Sequence, residues 1–200
     1  INGRPLKSIN QFFNKRVAKA QSIEACRQVK QLNSKGDRRI DNYLHTVSRR
    51  VIDWCQLNEI GQLIIGKNQR WKQDINIGKK NNQQFTNIPH AQPIALLTYK
   101  AQLAGIEVVL TEKSYTSKAS ALDGDTLLAF NRFSESEPVF SGKRVKRGLY
   151  KTSTGRTINA DINGSMNIAR KVIPDAFEGI EGLPFIPVIL ALWTKFKNVN

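Results

Sequence analysis

Glu107-Val108-Val109-Leu110-Thr111-Glu112, followed by Ser114-Tyr115-Thr116-Ser117, and then Asn159-Ala160-Asp161-Ile162-Asn163-Gly164-Ser165-Met166-Asn167-Ile168 are the stretches on which the fold turns. The first is a short apolar, β-branched run that closes on a carboxylate, the pattern of a strand with an acid at its C-terminal end. The second opens a helix from Asp161 to about Val172, which Pro174 ends. Open α/β sheets place their working groups at the C-terminal ends of strands. An aspartate at a helix start caps backbone N–H groups and meets a favourable dipole. Each acid therefore has two readings. Glu112 is a solvated strand-end carboxylate or a ligand, and Asp161 is a helix cap or a ligand.

Working outward, Ile9, Phe12, Phe13, Val17, Ala20 and Ile23 recur at helical spacing over 7–30. Ile40, Tyr43, Leu44, Val47, Val51, Trp54 and Cys55 do so over 37–57. Asn33-Ser34-Lys35-Gly36-Asp37 reads as the turn between two basic helices. Leu63-Ile64-Ile65 is a buried-strand run between Gly61 and Gly66. Residues 89–104 form a third helix, with Pro89 in the first turn and Gly105 as its stop. Residues 119–157 read as an inserted hairpin or loop, with Phe130, Phe133, Val139, Phe140, Val145 and Tyr150 among turn residues. The order helix–helix–strand–helix–strand–insert–helix is α/β.

The chain has 200 residues and a formal net charge of +15, from 31 lysines and arginines against 16 acids. That excess favours a polyanionic partner, because each cation placed on a phosphate releases condensed counterions. Lys15, Arg16 and Lys19 lie on the first helix, Lys67, Arg70, Lys72, Lys79 and Lys80 in a polar loop, and Lys143, Arg144, Lys146 and Arg147 in the insert. Arg70-Trp71-Lys72 and Arg147-Gly148-Leu149-Tyr150-Lys151 interleave aromatics for base stacking. No segment sets a basic face against a broad apolar one, so no membrane partner is expected. The apolar run 183–193 contains Pro184 and Pro187 and is too short to span a bilayer.

Cys26 and Cys55 are far apart and outside any CxxC spacing, as reduced thiols of a cytoplasmic protein are. His45, between Leu44 and Thr46 on the second helix, reads as a packing or hydrogen-bonding residue, His90 is similarly unpartnered, and Ser117 has no nearby histidine to activate it, so nucleophilic catalysis is rejected. With Ile1 at its start and Met166 as its single methionine, the chain reads as a piece of a longer frame.

Several stretches together resemble the TnpB (OrfB) family, transposon-associated RNA-guided nucleases related to type V CRISPR effectors. They are Asn2-Gly3-Arg4-Pro5-Leu6-Lys7-Ser8-Ile9-Asn10, Tyr99-Lys100-Ala101-Gln102-Leu103-Ala104-Gly105-Ile106, Tyr115-Thr116-Ser117, Phe140-Ser141-Gly142-Lys143-Arg144, and Ala160-Asp161-Ile162-Asn163 through Asn167-Ile168. The resemblance implies an N-terminally incomplete RuvC-like (RNase H-type) nuclease domain over 1–177 with a tail over 178–200. It also implies magnesium-dependent DNA cleavage, with a guide RNA choosing the target by base pairing. DNA, guide-type RNA and a nucleoid-associated location in a prokaryotic cell are the partners and place it brings.

Three departures from the family pattern matter. No residue matches the family's first catalytic aspartate. Gly66 stands where many members end a strand in the second acid, so Glu112 reads as a relocated second acid beside Asp161, the third, with both as magnesium ligands. Ser120, Asp123, Lys151 and Thr154 stand where most members carry two CxxC pairs, so no zinc is expected and the insert must hold its shape by packing through Phe140 and Tyr150, or stay loose. Taken alone, the chain is expected not to cleave efficiently. Two other readings stay open: a non-catalytic DNA- or RNA-binding remnant of a transposase gene, and a basic structural protein that assembles with RNA.

Overall fold

The computed structural model describes residues 3–67, 91–129 and 138–178, which fall into two compact units. The first is helical. Helix α1 (Arg4–Gln21) starts on Pro5, whose fixed φ suits a first turn, and buries Leu6, Phe13 and Ala20. Helix α2 (Cys26–Leu57) buries Leu32, Gly36, Ile40, Leu44, Val47, Ile52 and Cys55. These apolar stripes meet in two clusters. Leu6, Ile40, Leu44 and Leu96 form one, and Phe13, Ala20 and Leu32 form the other. Helix α3 (Ala91–Leu103) joins the first cluster and is tied to α2 by polar bonds. Gln92 Nε2 donates to Asp41 Oδ1, and Lys100 Nζ donates to the His45 carbonyl and Ser48 Oγ, each at 2.8 Å. Gly105, at φ +71, ends α3 by letting Ile106 N–H return to the Ala101 carbonyl at 2.9 Å.

The break between the first two helices is not at 33–37. It falls at residues 22–25, where Glu24 takes φ +54, Ser22 Oγ bonds the Lys19 carbonyl and Ala25 N–H bonds the Ala20 carbonyl. Gly36 lies inside α2 and is buried. A Cβ there would stand 3.2 Å from Cγ of Phe13. The glycine is thus where α2 approaches the Phe13 ring, and packing offsets its helix penalty of about 1 kcal/mol. Glycine as a breaker and glycine as a contact point look the same until the partner helix is in place.

The second unit carries the strands β1 (Gln62–Gly66), β2 (Glu107–Thr111), β3 (Lys143–Lys146), β4 (Leu149–Lys151) and β5 (Thr157–Asn159), then helix α4 (Ala160–Arg170). β1 and β2 pair. They run in the same direction, since Glu107 N–H bonds the Gly61 carbonyl at their starts and Lys67 N–H bonds the Thr111 carbonyl at their ends. β3, β4 and β5 make a separate antiparallel sheet in that order, with Arg144 opposite Tyr150 and Tyr150 opposite Ile158. The register shifts between Arg144 and Lys146, a bulge in the edge strand.

Tyr150, Ile158 and Ala160 form the core of this small sheet, with Leu122 against them. Tyr150 is fully buried, and its hydroxyl donates to the Lys118 carbonyl at 2.8 Å. Burial, with Asp125 and Asp123 nearby, pushes its pKa up to about 12. Gly142 crosses the face of this tyrosine. A Cβ there would fall 2.7 Å from the ring and 2.8 Å from the Lys151 carbonyl. A Gly142→Ala change is therefore expected to destabilise the sheet by about 1–3 kcal/mol, as overpacking does. Urea unfolding followed by the exchange rates of the β4 amides would measure it.

Candidate functional site

The paired ends of β1 and β2 bring Gly66 and Glu112 to one side of the second unit. Gly66 has no room for a side chain. A Cβ built there would lie 2.8 Å from Cδ1 of Ile168 on α4 and 3.1 Å from Cβ of Lys113. The place where the resemblance expects an acid is filled by an apolar helix residue. Glu112, one strand over, is partly exposed and both of its oxygens are engaged. Oε1 accepts from Lys171 Nζ, and Oε2 accepts from Ser114 N–H at 2.8 Å. The Lys171 side chain is only 7 % exposed and also donates to the Leu128 carbonyl at 3.2 Å. Burial pulls the pKa of this ammonium down. Glu112, Asp125, Leu127, Arg170 and Lys171 line a cleft of about 500 Å³.

Asp161 stands in the first turn of α4, exposed, and is not the cap. That role belongs to Asn159, whose Oδ1 accepts from Asp161 N–H at 2.8 Å and Ile162 N–H at 3.2 Å. Asp161 does not line the cleft. Ten residues of helical backbone separate it from Lys171, about 15 Å along the axis. Lys171, which holds Glu112, caps the end of α4 opposite to Asp161, and Asp161 is not among the residues lining the cleft at Glu112. Among the described residues no group of three or more histidines, cysteines, aspartates or glutamates is placed to hold a metal ion. This donor set does not fit a magnesium site, which demands several converging oxygens.

What α4 does bring together is the loop after Glu112. Asn163 and Asn167, one helical turn apart and fully buried, face that loop. Asn163 accepts from Ala121 N–H at 3.0 Å and donates to the Ala119 carbonyl at 2.8 Å. Asn167 donates to the carbonyls of Thr116 and Ala119, and its oxygen accepts from Arg170. The sequence carried these residues in the motif around Asp161, but their spacing alone did not show that they clamp a loop.

The described part of the insert is held by hydrogen bonds as well as by packing. Phe140 packs against Tyr115 with ring centroids 5.9 Å apart and the rings tilted by 43°, and Tyr150 is buried. The two turns at Ser120–Asp123 and Lys151–Thr154 are joined by a carboxylate–hydroxyl network. Asp123 accepts from Ser153 N–H and Ser153 Oγ at 2.9 Å each, and from Ser141 Oγ at 3.0 Å. Asp125 accepts from Ser120 N–H and Ser141 Oγ at 2.7 Å each. Burial works to raise the Asp123 pKa, but bonds from Ser120, Ser153 and Ser141 outweigh it and hold the carboxyl below its ordinary value. With a hydrogen-bonded network in this place, a chelator is expected to leave the melting curve of the chain unchanged. A fall in melting temperature with EDTA would show a metal contribution.

Lys143, Arg144 and Lys146 on β3 and Arg147 in the following turn are all exposed, and form a short basic ribbon. In the helical unit Lys15, Arg16 and Lys19 are exposed on α1, with the Arg16 guanidinium 5.4 Å from the Phe12 ring centre. Lys67 is exposed at the end of β1. Arg70, Lys72, Lys79 and Lys80 lie outside the described residues, as do the expected start of the third helix and the tail beyond residue 178. Cys26 and Cys55 are both free, exposed and buried respectively. Among the described residues no helix is long and apolar enough to cross a membrane.

The geometry is that of a mixed α/β chain with two small sheets. Its fold is similar to the protein in a cryo-EM structure of a Cas12f1–sgRNA–target DNA complex, with a TM-score of 0.55 and 20% identity. The likeness covers 84% of this chain and 42% of that one. The Cas12f1-like TNB domain family matches residues 90–168, and the OrfB_IS605 family, described as "Probable transposase", matches residues 1–72. No curated protein sequence matches the chain. Together the two family matches make the chain similar to TnpB/OrfB-type proteins, and the structural match shows a shared fold.

Proposed function

We propose that this chain is the nucleic-acid-binding, RuvC-like part of a transposon-encoded RNA-guided DNA endonuclease, with DNA and a guide-type RNA as its partners. The observation that carries this is the exposed ribbon Lys143, Arg144, Lys146 and Arg147 on a chain of net charge +15. Cations on an edge strand and its turn can follow a phosphate backbone without reading bases. Glu112 and Asp161 are the carboxylates this part would contribute. Magnesium is the ion that such a nuclease uses, and the donor set among the described residues does not fit it.

A second reading has its own support: a non-catalytic nucleic-acid-binding protein of transposase descent. The filled space at Gly66 and the engagement of Glu112 by Lys171 favour it. Crosslinking the chain in cells and sequencing the RNA bound to it tests the shared premise. Enrichment of a discrete RNA is expected, and a profile matching total RNA would overturn the guide-binding claim. Guide-dependent cleavage by the full reading frame, with and without Glu112→Ala, then separates the two readings. Cutting abolished by the alanine supports the endonuclease, and undiminished cutting removes Glu112 from it.

A further inference from the structure

We propose that Lys171 is the resident cation of Glu112: a positioning residue that holds the carboxylate at the end of β2 and keeps a divalent ion from it. The inference rests on the reading of Glu112 as a working acid. Three observations converge. First, the Lys171 ammonium bonds Glu112 Oε1 and the Leu128 carbonyl from a side chain that is 7 % exposed, so its position is fixed by the fold and not by solvent. Second, the other oxygen of Glu112 accepts from Ser114 N–H at 2.8 Å, so each oxygen of the carboxylate already holds a donor. Third, Arg170 lines the same cleft, while Asp125, the other acid there, is turned to Ser120 and Ser141.

A magnesium ion arriving at Glu112 meets a buried ammonium at the ligand position and a second cation beside it. It must displace Lys171 from Glu112 and leave that ammonium, little exposed, with only the Leu128 carbonyl, which the general behaviour of broken buried pairs disfavours. Lys171 occupies the C-cap of α4, where the partial negative charge of the helix end favours a cation, so the lysine is supported from its own helix as well. The same helix places Ile168 over Gly66. One face of α4 thereby closes the vacated acid position and supplies the counter-charge to its neighbour. Endonuclease competence at this site then requires α4 to release Lys171 from Glu112.

Magnesium titration of the full chain, followed by the amide signal of Ser114, tests this, because that N–H bonds Glu112 directly. The wild-type chain and Lys171→Arg are expected to show no shift at millimolar magnesium. Lys171→Met, which keeps the apolar stem and removes the charge, is expected to show a weak magnesium-dependent shift short of saturation, as a lone carboxylate gives, and to lose it again in Lys171→Met/Glu112→Gln. A magnesium-dependent shift at Ser114 in the wild type, or silence in a folded Lys171→Met, would overturn the proposal. If Lys171→Met does not fold, the Lys171 ammonium signal of the wild type decides. Protected from solvent exchange, unmoved by magnesium and lost in Glu112→Gln, it supports the proposal; exchange as fast as a surface lysine overturns it. RNA crosslinking and cleavage by the full frame report on the proposed function separately, so the two claims fail independently.

Discussion

Replacing Asp123 and Asp125 together by alanine is expected to detach the insert from the rest of its unit, at a cost of about 2–4 kcal/mol from the loss of charge-assisted hydrogen bonds. The two carboxylates receive Ser120 N–H, Ser141 Oγ, Ser153 N–H and Ser153 Oγ, which join segments about thirty residues apart in sequence. Urea unfolding read at the amides of Ser153 and Tyr150 measures the loss, and unchanged protection would contradict the network's role. The pH dependence has a definite sign. The Asp123 carboxyl is held below its ordinary value in the folded chain, so its contribution is complete above the unfolded pKa of about 4. It disappears as the pH falls through the lower, folded value. Wild-type stability should therefore decline in that acid window, and Asp123→Asn, less stable at neutral pH, should show a flatter acid limb.

Asn163→Ala is expected to cost about 1–3 kcal/mol in the same unit, because it leaves a buried backbone N–H without its partner. Ala121 N–H and the Ala119 carbonyl both bond Asn163, whose side chain is fully buried. The Ala119 carbonyl keeps its bond to Asn167, but Ala121 N–H would be left unpaired in the core. Asn163→Asp keeps the acceptor for Ala121 N–H and, at a pH where the new acid is neutral, offers an O–H in place of the amide donor, so it should fall between wild type and alanine. Thermal unfolding of the three proteins orders them. Alanine as stable as wild type would show that the loop after Glu112 does not depend on α4.

Much of the fold was legible in the sequence, and the exceptions share a physical cause. Apolar periodicity located the helices of the first unit, and the strand ending at Glu112 is β2. The turn at 33–37 was misplaced because Gly36 is a contact point with Phe13, and no local property of the chain reveals a partner helix. Asn159, two residues before Asp161, took the capping role that either residue type can fill. Lys171 with Glu112, Asp123 with Ser153 and Asn163 with Ala119 are pairs far apart in the chain, and a pattern of residues along the sequence does not carry such pairings. The carboxylates were therefore legible as residues and illegible as a site. The place of Asp161 outside the cleft and the cation on Glu112 belong to tertiary structure.

The central claim is that this chain binds nucleic acid through the β3 ribbon. Fluorescence anisotropy of a labelled single-stranded oligonucleotide, titrated with wild type and with Lys143→Ala/Arg144→Ala/Lys146→Ala/Arg147→Ala across a salt series, tests it most directly. With four phosphate contacts removed, the slope of log affinity against log salt should become shallower by about 3, and affinity should fall on the order of a hundredfold at low salt. Equal slopes and equal affinity for the two proteins would contradict the account.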